Sequence, residues 1–280
     1  MFSWRAEVRP GVWVAFTDAA AGNLALHVGD DPAEVGRRRR AVEAALGLGG
    51  RPFQYMNQVH GNNVAGIGAA SAAAAGSGAP AVGAPAAGAP TAGAPAAGAT
   101  TAGGPTAGGP TADAMVSFGE PLAVMVADCV PIVLVGDRAG GKAPILAVVH
   151  AGRPGVASGI VPAAVARMHE LGAAGLAAWI GPSVCGRCYE VPADMRDQVA
   201  ASVPAARCTT SRGTPGLDLP AAVRSQLQDA GVGVEYSGGC TLEDDTLFSY
   251  RRDSSTGRFA GLVWTDAGNA GRGPAGRLSK

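Results

Sequence analysis

Residues 122–152 read LAVMVADCVPIVLVGDRAGGKAPILAVVHAG, and the reading of this stretch decides the fold class. It holds three apolar runs, Leu122–Ala127, Ile132–Val135 and Ile145–Val149, each short and rich in valine or isoleucine. Runs of that length bounded by turn-forming residues read as buried strands, not helices. Outward from this stretch, Val12–Phe16, Leu24–Val28 and Phe259–Trp264 give further strand signals, and FQYMNQV at 53–59 gives another. Helical signals are fewer. Asp31 as an N-cap, Pro32 in the first turn and Glu34 behind it predict a helix over about 32–46. Ser158–Leu171, Ala193–Val203 and Ala221–Ala230 complete the expected helices. Strands outnumber helices without strict alternation, so a mixed α+β fold with a β-rich core flanked by helices is expected, not a doubly wound sheet.

One segment stands apart. Residues 69–112 contain no charged and no aromatic side chain, and glycine recurs every five positions from Gly78 to Gly108, followed by proline in most copies. Such a composition cannot bury enough apolar surface to offset its ordering entropy, and frequent proline blocks regular elements. Because chemistry-bearing residues lie on both sides of it, it reads as a disordered insert within one domain spanning residues 1–280.

The chain carries 22 basic and 22 acidic side chains, and this balance argues against a nucleic-acid or membrane-surface partner. No run of about twenty strongly apolar residues is present, and residues 1–16 lack the pattern of a secretory signal. The five cysteines are irregularly spaced and odd in number, which does not make a disulfide framework. Reduced thiols and a cytoplasmic location fit better.

Of the four histidines, His60 in NQVHG, His150 in VVHAG and His27 in ALHVGD sit in turn-like contexts, while His169 falls on a polar helix face. Cys129 and His150 each follow an apolar strand, and His60 follows a third, so the three side chains can converge on one pocket. Two imidazoles and a thiolate suit zinc and leave a fourth position open for water or substrate. Spacing alone leaves open a buried strand-end cysteine with unrelated histidines. Cys185 and Cys188 form a CxxC, a zinc half-site or redox pair that Cys208 and Cys240 would have to complete. The run RRRR at 37–40 reads as a solvated helix face. Arg251, Arg252 and Arg258 suit structural ion pairs and anion binding alike. Asp128 either orients a ligand histidine or caps a turn.

The motifs NQVHG (57–61), ADAMVS (112–117), ADCVPIVL (127–134), VVHAG (148–152), IGPSVCGRCYEV (180–191), LDLPAAVRSQL (217–227) and CTLEDDTLFSYRRDSSTGR (240–258) together resemble the YfiH family. Its members are described as polyphenol oxidases, laccase-domain proteins and purine nucleoside phosphorylases. The resemblance implies a β-sandwich-like core of mixed sheets and a zinc site at His60, Cys129 and His150. Those three residues and Asp128 become the expected catalytic group, and Asn23, Gln58, Arg251 and Arg258 the expected substrate-binding residues. The implied reactions are phosphorolysis of adenosine, inosine, guanosine or methylthioadenosine with inorganic phosphate, and adenosine deamination. A metal-free hydrolase using Cys129 and His150, or an enzyme editing cell-wall precursors, is the alternative. A copper phenol oxidase is less expected, because multicopper centres draw on many more than four histidines. One departure stands out. Relatives read AGWRG after the second ligand histidine, where this chain has Ala151-Gly152-Arg153-Pro154-Gly155. Arg153 and Pro154 are therefore expected to alter contacts to substrate or phosphate.

Overall fold

The computed structural model describes residues 1–71 and 109–266; residues 72–108, the bulk of the expected insert, and the tail from 267 lie outside the described residues. The apolar runs of the quoted stretch are strands buried on both faces, as their unbroken hydrophobicity requires. In β6 (Val130–Arg138), Ile132 and Leu134 face one way and Val133 and Val135 the other. In β7 (Ile145–Ala151), Ile145, Ala147 and Val149 oppose Leu146 and Val148 in the same manner. The two strands pair antiparallel, with Pro131 opposite His150 and Val135 opposite Leu146.

They form the middle of a six-stranded sheet whose spatial order is β11 (Gly233–Ser237), β8 (Ala173–Ile180), β6, β7, β4 (Ala114–Ser117) and β3 (Val64–Gly66). The outermost pairs, β11 with β8 and β3 with β4, are parallel and the inner ones antiparallel, so the sheet is mixed. A second, four-stranded antiparallel sheet runs β1 (Phe2–Arg9), β2 (Val12–Thr17), β12 (Phe259–Thr265) and β5 (Leu122–Val126). Its inner face, with Val14, Phe16, Val124 and Phe259, packs on Val133, Val135, Leu146, Val148 and Trp179 of the larger sheet. That is a β-sandwich, as expected.

The outer faces are closed by helices. Helix α1 (Pro32–Ala45) covers the smaller sheet, where Val42 joins Ala123, Leu262 and Trp264. Asp31 caps it as expected, accepting the Ala33 N–H at 2.9 Å. The larger sheet is covered by α2 (Arg153–Ala157), α3 (Ile160–Glu170), α4 (Ala193–Ser202) and α5 (Leu219–Asp229), which supply Val156, Ile160, Val165, Val199 and Leu227 to its core. A small antiparallel pair, β9 (Arg207–Thr209) and β10 (Pro215–Leu217), lies between α4 and α5 in the chain. Among the described residues no helix is long and apolar enough to cross a membrane.

Several local expectations are corrected. Leu24–Val28 is not a strand, because the Asn23 side chain takes the Ala25 N–H at 2.9 Å and turns the backbone, while Leu24 and Ala25 still enter the core. Residues 53–59 are not a strand: their ladder pairing is limited to isolated bridges, Gln54 to Leu122 and Asn57 to Thr111, although Phe53 and Met56 still enter the core. The helix expected over 158–171 is α3, which starts at Ile160 after Gly159, whose φ is +82°; the short α2 before it was not expected. The edges of the expected insert belong to the fold: Ala70 and Ala112 are buried, and Ala112 donates its N–H to Asn57.

At Gly181, just after β8, a Cβ would lie 2.4 Å from the Phe16 ring and 2.7 Å from Pro131. Glycine here lets the two sheets close on fully buried Phe16. Gly181→Ala is expected to lower unfolding free energy by about 1–3 kcal/mol, as overpacking does. Urea unfolding of the two proteins checks this, and equal stabilities would mean that Phe16 can repack freely.

Candidate active site

Strand periodicity brings the chemistry together. Cys129 precedes β6 and keeps the phase of Val133 and Val135, so it faces the space between the sheets and packs on that core. His150, near the end of β7, keeps the phase of Leu146 and Val148 and is buried. His60 arrives from the loop after residue 57 with φ +61°, a left-handed backbone that histidine rarely adopts. Its Nε2 stands 3.7 Å from Cys129 Sγ, and its ring meets His150 edge-on with centroids 4.6 Å apart.

Asp113 fixes this arrangement, and the sequence reading did not single it out. Its carboxylate is fully buried at the start of β4. It accepts the backbone N–H groups of Val59 at 3.1 Å, His60 at 2.9 Å and Gly61 at 2.6 Å, closing the strained loop. The same carboxylate lies 2.8 Å from His150 Nδ1. A proton on Nδ1 leaves the His150 Nε2 lone pair free for a ligand. Burial alone would raise the Asp113 pKa, but His150 and the loop N–H groups hold it below the ordinary carboxylate value. The available signal was the Asp of ADAMVS, a charge standing directly before a buried strand.

One donor atom each of His60, Cys129 and His150 lies within 4.8 Å of the other two. Around tetrahedral zinc a nitrogen and a sulfur ligand stand about 3.6 Å apart, so the 3.7 Å between His60 and Cys129 suits such an ion. Burial would push the Cys129 thiol up, but the His150 charge and hydrogen bonds from both histidines bring it down to about 6. Burial likewise opposes charging of His150, yet Cys129 and Asp113 raise it to about 9. Without metal the pair is therefore a thiolate beside an imidazolium, and a metal ion here would displace the proton on His150 Nε2. Gly152 makes the cluster possible, since a Cβ there would lie 2.6 Å from the His60 ring and 3.2 Å from Cys129 Sγ.

The three donors line a cavity of about 360 Å³. Val28, Met125, Val126 and Ala127 make an apolar wall, and His27, Tyr250, Ser254, Ser255 and Arg258 supply the polar side. Burial, then the Arg258 and Arg39 charges, lower the His27 pKa, so this imidazole is neutral. The Arg258 guanidinium is anchored through Nη1 to the Thr256 and Gly257 carbonyls at 2.8 and 3.0 Å.

The other expected site residues divide. Gln58 borders the cavity, but its amide is spent on Met125, donating to the carbonyl at 2.7 Å and accepting the N–H at 2.9 Å. Asn23 is outside the cavity lining, bonded to Ala25, Asp30 and the Arg258 N–H. Arg251 is also outside it; its guanidinium donates to the Glu190 carbonyl and stacks over Tyr189. Asp128 serves as a clamp: its carboxylate accepts the Thr241 hydroxyl at 2.6 Å and the Arg251 N–H at 2.7 Å. Those bonds hold its own backbone at φ +83° beside Cys129. Neither Arg153 nor Pro154 lines the cavity; they form the first turn of α2, where a missing N–H costs no helical bond.

A family model described as multi-copper polyphenol oxidoreductase laccase matches residues 13–266. The chain belongs to this laccase-domain family. A Mycobacterium tuberculosis member named purine nucleoside phosphorylase is 43% identical over 249 residues, covering 87% of this chain and 84% of its own. A Neisseria meningitidis protein of known structure is 30% identical with a TM-score of 0.69, covering 95% of this chain and 99% of its own. Bacillus licheniformis YfiH, at 22% identity, shares the laccase-domain fold with a TM-score of 0.68 over 91% of this chain and 93% of its own.

Gly152→Ala is expected to weaken binding of any metal that the three donors hold by at least about 10-fold, as other losses of ligand support do. The melting temperature of the metal-free protein should change little. Chelator competition reads the first quantity. An unchanged metal affinity would mean that His60 can leave its position without cost.

Proposed function

We propose that this chain is a zinc-dependent purine nucleoside phosphorylase that acts on adenosine, inosine, guanosine or methylthioadenosine and also deaminates adenosine. The observation that carries this reading is the set His60, Cys129 and His150, gathered within 4.8 Å on the wall of a cavity whose polar side includes Arg258. The names of relatives such as the Mycobacterium tuberculosis protein support the substrate class.

Zinc held by His60, Cys129 and His150 would supply a Lewis acid with one open position. The chain's own groups divide the remaining work. The wall of Val28, Met125, Val126 and Ala127 accepts the flat purine. Arg258, anchored through Nη1 and little hydrated, holds the phosphate anion with Ser254 and Ser255 alongside. In phosphorolysis a phosphate oxygen bonds to C1′ as the C1′–N9 bond breaks; its electron pair leaves with the base, which takes a proton. His27, neutral and on the cavity wall, is the group placed to give the base a hydrogen bond. In deamination water adds at C6 and ammonia leaves from the same slot.

A metal-free hydrolase is the second reading, favoured by the line Cys129, His150, Asp113, which has the form of a nucleophile, a base and its orienting carboxylate. His60 supports the metal reading over this one, because a third donor 3.7 Å from the sulfur has no role in such a triad. Copper laccase chemistry fits poorly, since the chain has four histidines and one of them, His169 on α3, donates from Nδ1 to the Ala173 carbonyl outside the cavity.

Purified protein incubated with inosine should release free base and ribose 1-phosphate only when phosphate is present. Cys129→Ala should lose zinc and at least about 100-fold in rate. Arg258→Gln should keep its zinc and raise KM for phosphate about tenfold or more. Base release that ignores phosphate, or zinc-loaded protein inert toward all four nucleosides, would overturn the reading.

A further inference from the structure

Outside the cavity, the structure gathers a second donor set. One ligand atom each of Cys185, Cys188, Cys240 and Glu243 lies within 4.8 Å of all the others. Backbone pairing makes this meeting. Strands β8 and β11 are parallel neighbours that end together, Ile180 opposite Ser237. The segments leaving them stay side by side: Gly238 N–H donates to Ile180, Ser183 N–H to Gly239, and Thr241 N–H to Ser183. Cys240 is thereby carried to Cys185. From Cys185 the chain makes a tight turn, with the N–H groups of Cys188 and Tyr189 both donating to the Cys185 carbonyl, so that the second thiol of the CxxC swings back toward the first. The Cys185 N–H points at Cys240 Sγ at 3.4 Å, as an amide does to a ligand sulfur.

Glu243 completes the set from the other side, 3.5 Å from Cys188 Sγ. Arg187 donates to the same carboxylate at 3.2 Å and offsets part of the negative charge that such a donor set carries. Cys208, the fifth thiol, is not part of it, because its Sγ donates to the Gly186 carbonyl at 3.2 Å. Three thiols cannot all be satisfied by one disulfide, whereas three thiolates and a carboxylate make a closed tetrahedral shell. A shallow cleft lined by Cys185, Arg187, Cys240 and Glu243 leaves the cluster open to an ion from solvent.

We propose that Cys185, Cys188, Cys240 and Glu243 form a second, structural zinc site. Its role follows from what the two cross-linked segments hold. The Val184 N–H donates to the Asp128 carbonyl and the Thr241 hydroxyl to the Asp128 carboxylate. A zinc clip between residues 185–188 and 240–243 therefore fixes both partners of the strained corner that precedes Cys129. The loop from 238 to 246 has no helix or extended strand and little apolar content, so a metal cross-link would add to the few backbone and side-chain bonds that hold it. This proposal stands independently of the reaction assigned to the cavity.

The test is zinc stoichiometry in protein purified without a metal-chelating tag. Wild type should hold about two zinc ions per chain, and Cys188→Ser, Cys240→Ser and Cys129→Ala about one each. Cys208→Ser, adjacent but outside the cluster, should keep both. Should the cluster variants fail to fold, the Cys129→Ala chain still decides: its remaining zinc should be removable by chelator, with a fall in melting temperature of about 5 °C or more. Chelation should also expose three further thiols to a thiol reagent. A wild-type chain with one zinc that vanishes in Cys129→Ala, or a Cys129→Ala chain indifferent to chelator, would overturn the proposal.

Discussion

The site rests on one buried carboxylate. Asp113 receives three successive backbone N–H groups of the His60 loop and also faces His150 Nδ1. A charge removed from water is stable only when its lone pairs are filled, and here the filling comes from the segments that carry His60 and His150. Removing it would release both at once, since the loop loses its anchor and the imidazole its tautomer. The position of Asp113 is itself set by the sheet, because it directly precedes β4 and its carbonyl accepts the His150 N–H at 2.7 Å. Main chain and side chain of one residue thus tie β4, β7 and the His60 loop together.

The described non-glycine residues with positive φ are His60 and Asp128, and both flank the site. A left-handed backbone costs such residues of order 1–2 kcal/mol each, so each must be held by something stronger. At His60 the restraint is the Asp113 carboxylate; at Asp128 it is the residue's own carboxylate, bonded to Thr241 and Arg251. The same device serves twice, and its effect is to aim His60 and Cys129 at a common point that regular backbone would not reach. Gly152 leaves the space into which they are aimed.

The layered fold and the meeting of His60, Cys129 and His150 were legible because both are written in short-range patterns. The apolar runs around Cys129 and His150 are continuous, which only a sheet covered on both faces tolerates, and Asp31-Pro32 marks its helix in two residues. Strand β8 was missed because AAGLAAWI is alanine-rich and lacks the β-branched signal, yet parallel pairing to β11 holds it in place. Strand β1 was missed for the opposite reason: FSWRAEVR alternates half-buried and exposed at the sheet edge, where polar residues dilute the pattern. Asp113, His27 and the Cys185–Cys240 meeting depend on pairings across tens of residues, which spacing does not reveal. Asn23, Gln58 and Arg251 were read as substrate contacts because they sit in site-bearing motifs. Their polar atoms are bonded within the protein, Gln58 at the edge of the cavity and Asn23 and Arg251 outside its lining.

The departure at Arg153-Pro154 shows how such motifs divide between construction and chemistry. Within VVHAGRPG, His150 supplies a donor atom and Gly152 supplies space, while the next two residues start a helix. Proline at that point forgoes an N–H that a first turn does not use, and its fixed φ suits the turn. Arg153 and Pro154 leave the cavity lining to other segments, so the change relative to AGWRG need not disturb the donors at all. Discrimination among ligands then falls to the residues that do face the cavity, above all His27 and Arg258. These come from opposite ends of the chain and are joined through Asn23, whose side chain bonds both the Ala25 and the Arg258 backbone. A change of specificity within this family would therefore be expected in the segments around residues 23–28 and 250–258, where the polar wall is made, and not in the turn that follows the ligand histidine.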